Sequence, residues 1–118
     1  MIYRDFMRVI DSNTPTVVYF YAKWCKSCRN MTSEIDELKV ELNERTKLLY
    51  IDIDQPENYK ITQAYNIYAV PTIIIFHNGA PAWRINGLVT ASYLLRIVGK
   101  LSASAHSVDN ATVRSHRK

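Results

Sequence analysis

The sequence predicts an α/β protein: a mixed sheet of about four strands with helices on its faces. Three observations carry this. Two apolar runs, TVVYFYA at 16–22 and LLYIDI at 48–53, flank a long segment of helical periodicity, which makes a βαβ unit with an expected right-handed crossover. A third run, TIIIFH at 72–77, leads through Asn78-Gly79, a strong hairpin signal, into AWRI at 82–85. At 118 residues, with 47% apolar and 22% charged residues, the chain is the size and composition of one globular domain without linkers.

Each element has a local reason. Phe6, Val9 and Ile10 recur at helical spacing, so an opening helix over Asp5–Ile10 is expected, broken by Asn13-Thr14-Pro15. TVVYFYA is β-branched and aromatic almost throughout, the pattern of a strand covered on both faces. Met31, Ile35, Leu38 and Leu42 then form one helical stripe, with Glu34, Glu37, Glu41 and Glu44 on other faces. Asp54-Gln55-Pro56-Glu57 reads as a helix start, with a capping side chain, an early proline and an acid near the positive end of the dipole. That helix runs through Ile61, Ala64 and Tyr65 to a left-handed stop at Asn66. Pro81 suits an edge strand. A last helix over Thr90–Leu101 buries Leu94, Ile97, Val98 and Leu101, after which periodicity is lost. The expected organisation is therefore a domain over 1–101 and a disordered basic tail over 102–118.

Several function classes find no support in the chain. The net charge is only +4, and Arg114, Arg117 and Lys118 supply much of it, so no nucleic-acid partner is expected. No run of eighteen apolar residues exists, and the opening residues lack a secretory signal. A cytosolic protein that binds no membrane is expected. HExxH, GxxxxGK[ST], GxGxxG and GxSxG are all absent, and the sequons at Asn30 and Asn110 are read as chance matches.

The chemistry sits in WCKSC, Trp24 to Cys28, which holds the only two cysteines. They fall where the first strand ends and the first long helix begins, the place where open α/β sheets gather their ligands. With the helix starting at or just after Cys25, its sulfur faces unpaired N–H groups and the positive end of the macrodipole, which favour thiolate over thiol. Cys28 lies on the same helix face, close enough for a disulfide with little backbone movement. Lys23, Lys26 and Arg29 add cations that stabilise a thiolate further, or are ordinary surface charges. Two other readings stay open at this point. A zinc or iron–sulfur site needs about four protein ligands, whereas His77, His106 and His116 lie far along the chain. Inert core cysteines explain burial but not the setting beside Trp24 and lysine.

VVYFYAKWCKSC, YIDIDQP, YAVPTIIIFHNG and Gly87 before the last helix, in this order and spacing, resemble the thioredoxin family over residues 5–101. The resemblance implies a thioredoxin fold whose first β-strand is short or absent, with Val70-Pro71 in a cis peptide bond packed on a redox-active Cys25–Cys28 disulfide. It implies no other cofactor and no metal. A monomeric protein-disulfide reductase follows, in which Cys25 attacks and Cys28 resolves, while Trp24, Val70, Pro71 and Gly87 meet the substrate. Lys23, Lys26, Ser27 and Arg29 would tune the thiol. The implied partners are proteins with disulfides and an external reductant such as a thioredoxin reductase. Alternatives are a more oxidising exchanger and a peptide-binding module without turnover. Typical members carry Gly-Pro between the cysteines, an aspartate at the Tyr19 position, a lysine at the Tyr50 position and a helix-bending proline at the Ser33 position. These departures bear on redox poise rather than fold.

Overall fold

The computed structural model describes residues 1–114, with side chains described through residue 103. Its elements, in chain order, are α1 (Tyr3–Ile10), β1 (Thr16–Tyr21), α2 (Lys26–Glu41), β2 (Lys47–Asp52), a 3-10 turn (Pro56–Asn58), α3 (Tyr59–Ala64), β3 (Thr72–His77), β4 (Ala80–Asn86) and α4 (Ala91–Arg114). The strands lie in the order β2-β1-β3-β4. β1 runs parallel to β2, with Tyr21 opposite Asp52, and antiparallel to β3, with Tyr19 opposite Ile73. β3 and β4 form an antiparallel hairpin.

Side-chain alternation on the two central strands builds two cores. Val17 and Tyr19 of β1, with Ile73 and Ile75 of β3, pack against Met31, Ile35 and Leu38 of α2 and Leu94 and Val98 of α4. Val18, Phe20, Ile74 and Phe76 point the other way, onto Phe6 and Ile10 of α1 and Ile61 of α3. Both faces of the central strands are therefore dry, which is why their sequences are continuous apolar runs. Each such side chain contributes about 1.5–3 kcal/mol through burial, so the sandwich is held mainly by these residues.

The edges read differently. β4 alternates half-buried Trp83 and Ile85 with exposed Ala82, Arg84 and Asn86, because only one of its faces is covered. Its hairpin turns through Asn78 and Gly79 at φ 56° and 82°, positive values that those residue types tolerate. Pro81 lies in β4 on the outer edge, next to a register shift between Ile75 and Phe76.

The strand boundaries shift by at most two residues from the sequence expectation, and the helices differ as follows. The opening helix starts at Tyr3 rather than Asp5. The third helix is split, with a 3-10 turn at Pro56–Asn58 whose N-cap is Gln55, while the Asp54 carboxylate accepts the Trp24 indole N–H instead of capping it. Asn66 does stop that helix, at φ 52°. Finally, α4 continues as backbone to Arg114, past Leu101, where its apolar stripe ends. Residues 115–118 of the expected tail lie outside the described residues. Among the described residues, no helix is long and apolar enough to cross a membrane.

Candidate functional site

β1 ends at Tyr21, and the chain makes one tight turn, closed by the Cys25 N–H donating to the Ala22 carbonyl at 3.2 Å, before α2 begins. Cys25 is the N-cap of α2. Its sulfur accepts the Cys28 N–H at 3.1 Å, the bond that a capping side chain makes to an otherwise orphaned amide of the first turn. Cys25 and Cys28 form a disulfide with their Cα atoms 5.2 Å apart. They are 6% and 3% exposed and pack with Ala22 against Tyr21, Ile53 and Val70. Two oxygens lie near the Cys25 sulfur: the Ser27 hydroxyl at 3.5 Å and the Val70 carbonyl at 3.7 Å.

Val70 belongs to a segment that enters β3 through a cis Val70-Pro71 bond. Its neighbours are tied down. The Thr72 hydroxyl donates to the Ala69 carbonyl at 2.6 Å, and the Gly87 N–H donates to the Pro71 carbonyl at 2.8 Å. The Val70 N–H has no hydrogen-bond partner among the described residues. Cys25 and Cys28, Val70 and Pro71, and Gly87, from three separate stretches of the chain, thus meet at the strand ends.

The remaining expected site residues surround this centre. Trp24 is 69% exposed, which rules out a core role, and its indole N–H donates to Asp54 Oδ2 at 2.8 Å. Lys23, Lys26, Ser27 and Arg29 are exposed. The first turn of α2 carries no acid, so its cations stand against the positive end of the macrodipole and favour an anion beside them.

Beneath the pair lies an aromatic cluster. The buried Tyr19 hydroxyl donates to the Cys28 carbonyl at 2.9 Å and shares a second bond of 2.9 Å with the Thr32 hydroxyl. Its ring stacks on Tyr21 and meets Tyr50 edge-on. The Tyr50 hydroxyl donates to Asp36 Oδ1 at 2.7 Å. Burial pushes the pKa of Tyr19 up, outweighing the Thr32 bond, and burial together with the neighbouring Asp36 pushes Tyr50 up as well. The floor of the site is therefore uncharged phenol. Sequence reasoning missed Thr32, Asp36 and Asp54. Thr32 follows Cys28 by one helical turn and is visible in that spacing; the other two contacts join separate elements and have no local signal.

The metal reading lacks a ligand set, since among the described residues no three or more His, Cys, Asp or Glu side chains cluster. His77 lies beside the Asn13 carbonyl, with Nε2 3.0 Å from its oxygen.

A disulfide whose first sulfur caps a helix, opposed by a cis-proline segment at the end of an α/β sheet, is the apparatus of a protein that exchanges thiols and disulfides. The thioredoxin family model matches residues 3–100. A thioredoxin of Rickettsia felis is 38% identical over 92 residues, covering 78% of this chain and 86% of its own. Among solved structures, chloroplastic thioredoxin z is similar with a TM-score of 0.74 and 30% identity, covering 87% of this chain and 92% of its own. Malassezia sympodialis thioredoxin is similar with a TM-score of 0.71 at 25% identity over 86% of each chain. The chain belongs to the thioredoxin family, and it is a thiol–disulfide oxidoreductase that works by dithiol–disulfide exchange through its Cys25–Cys28 pair.

Proposed function

We propose that the protein reduces disulfides in other proteins, with Cys25 as the nucleophile and Cys28 as the resolving thiol. The observation that carries this is the Cys25 sulfur at the N-cap of α2, accepting an amide hydrogen at 3.1 Å. A thiolate there gains that bond and the macrodipole, as well as the Ser27 hydroxyl, while the Cys28 sulfur sits one turn deeper. Cys25 attacks one sulfur of the target disulfide, forming a mixed disulfide and releasing the other target sulfur as thiolate. Cys28, once deprotonated, attacks Cys25, releasing the second target thiolate and leaving the Cys25–Cys28 disulfide. Two electrons pass to the target. An external dithiol reductant, of the thioredoxin reductase kind, returns them.

The free N–H and the carbonyl of Val70 support docking of an extended substrate segment, strand to strand, which sets its disulfide over Cys25. Trp24, exposed before Cys25, and Gly87, bound to the Pro71 carbonyl, would meet the same segment. A cytosolic setting fits a reductase, because thiols are kept reduced there.

Insulin reduction with dithiothreitol tests the assignment. Cys25→Ser is expected to abolish turnover, and Cys28→Ser to accumulate a mixed disulfide with the substrate. Turnover surviving in Cys25→Ser, or trapping by that variant instead, reverses the roles.

A further inference from the structure

The segment that presents Val70 is anchored from the far strand of the sheet. Trp83 and Ile85 of β4 turn toward the α2–α4 face, so Arg84 between them points to the opposite face, where α3 ends. There its guanidinium forks: Nη1 donates to the Tyr65 carbonyl and Nη2 to the Asn66 carbonyl, the latter at 2.8 Å. Nε faces Asn86 Oδ1 at 3.4 Å, and the same oxygen lies 3.1 Å from the Thr72 hydroxyl. Tyr65 is the C-cap of α3, and Asn66 is the left-handed residue that turns the chain out of it. Carbonyls at a helix C-terminus lack intrahelical partners and carry the negative end of the dipole, so a planar cation donating to two of them is well matched.

We propose that Arg84 is a positioning residue for substrate docking. It fixes the start of the Asn66–Pro71 segment, the Thr72 hydroxyl and Gly87 N–H fix its end, and Val70 is left between them with its N–H unspent. No hydrogen bond links Arg84 to either cysteine. It therefore sets how well an extended chain pairs with Val70 and leaves the reactivity of Cys25 alone. Lysine, a point charge without the fork, restores part of this. The inference rests on the reading of Val70 as the docking edge.

Stopped-flow mixing of the reduced full-length protein with two oxidants separates the roles. One is a disulfide-bonded peptide, which has backbone to pair; the other is 5,5′-dithiobis(2-nitrobenzoate), which has none. Loss of two hydrogen bonds predicts that Arg84→Gln lowers the second-order rate constant for the peptide about three- to tenfold, with the small disulfide unaffected and Arg84→Lys intermediate. Equal slowing with both oxidants marks a merely structural role and overturns the inference. So does an unchanged peptide rate. A peptide N-methylated at the residues flanking its cysteine, tested on the unaltered protein, checks the underlying reading. If methylation costs nothing, the Val70 docking edge fails and takes the inference with it; if methylation is costly while Arg84→Gln is silent, only the role of Arg84 fails.

Discussion

At the scale of single residues, the two sulfurs differ less in exposure, 6% against 3%, than in what surrounds them. Cys25 has an amide hydrogen, a hydroxyl and a helix terminus; Cys28 has its carbonyl bound by Tyr19. Alkylation of the reduced protein by iodoacetamide is therefore expected to half-saturate well below the pH found for glutathione, with Cys25 the modified residue. Lys26→Gln with Arg29→Gln should move that pH up only slightly, since exposed cations contribute about 0–1 kcal/mol each. An identical profile for protein and glutathione refutes the capped thiolate. The Tyr19 hydroxyl donates its proton to a carbonyl and its pKa is raised, so at neutral pH it takes no proton from Cys28. Tyr19→Phe is expected to cost about 1–2 kcal/mol in urea melts through its lost hydrogen bonds. Mixed-disulfide resolution should persist, because losing a true proton acceptor slows a step by about a hundredfold or more. A loss of that size at pH 7 makes the phenol a participant after all. The identities at these positions were plain in the sequence, but what Tyr19 touches was not, because Cys28 and Thr32 reach it across two elements.

At the scale of elements, the site depends on how a strand, a helix start and a loop end against one another. The Gly87 link between β4 and α4 holds Pro71 through one amide and adopts φ +120°, a backbone conformation that L residues rarely reach. A methyl group there would meet no atom within 4 Å, so the cost of Gly87→Ala is backbone strain alone. Strain of this kind costs about 1–3 kcal/mol, which urea melts should read as a lowered midpoint with an unchanged slope. No loss of stability would mean that the loop relaxes freely. The strands and α2 were legible because each carries its own periodicity. The start of the third helix was not: Asp54 has the chemistry of a cap, but its carboxylate accepts from Trp24, and the helix begins later through a 3-10 turn. α4 likewise outruns its apolar stripe, since backbone helix persists where no packing pattern marks it.

At the scale of the whole molecule, tyrosines link stability to pH. Burial raises the pKa of Tyr19, Tyr50 and Tyr65 above the ordinary value of 10.0. Above that pH the unfolded chain releases these protons first and binds fewer than the native state, so stability falls as pH rises. The contribution is complete below pH 10 and disappears as pH climbs through the raised native values. Urea midpoints are expected to hold from pH 7 to 9 and to decline beyond 10, in step with phenolate absorbance; a flat profile to pH 11 contradicts the buried phenols. Sequence alone determined the class of fold, the strand and helix identities and the reactive pair, because apolar periodicity, turn chemistry and a close cysteine spacing are local and survive in one dimension. Tertiary structure alone decided that Trp24 bonds Asp54, that Tyr19 fills the floor as a neutral donor and that Arg84 braces the segment from another strand. Those facts are distances between residues far apart in the chain, and only the closing of the sheet sets them.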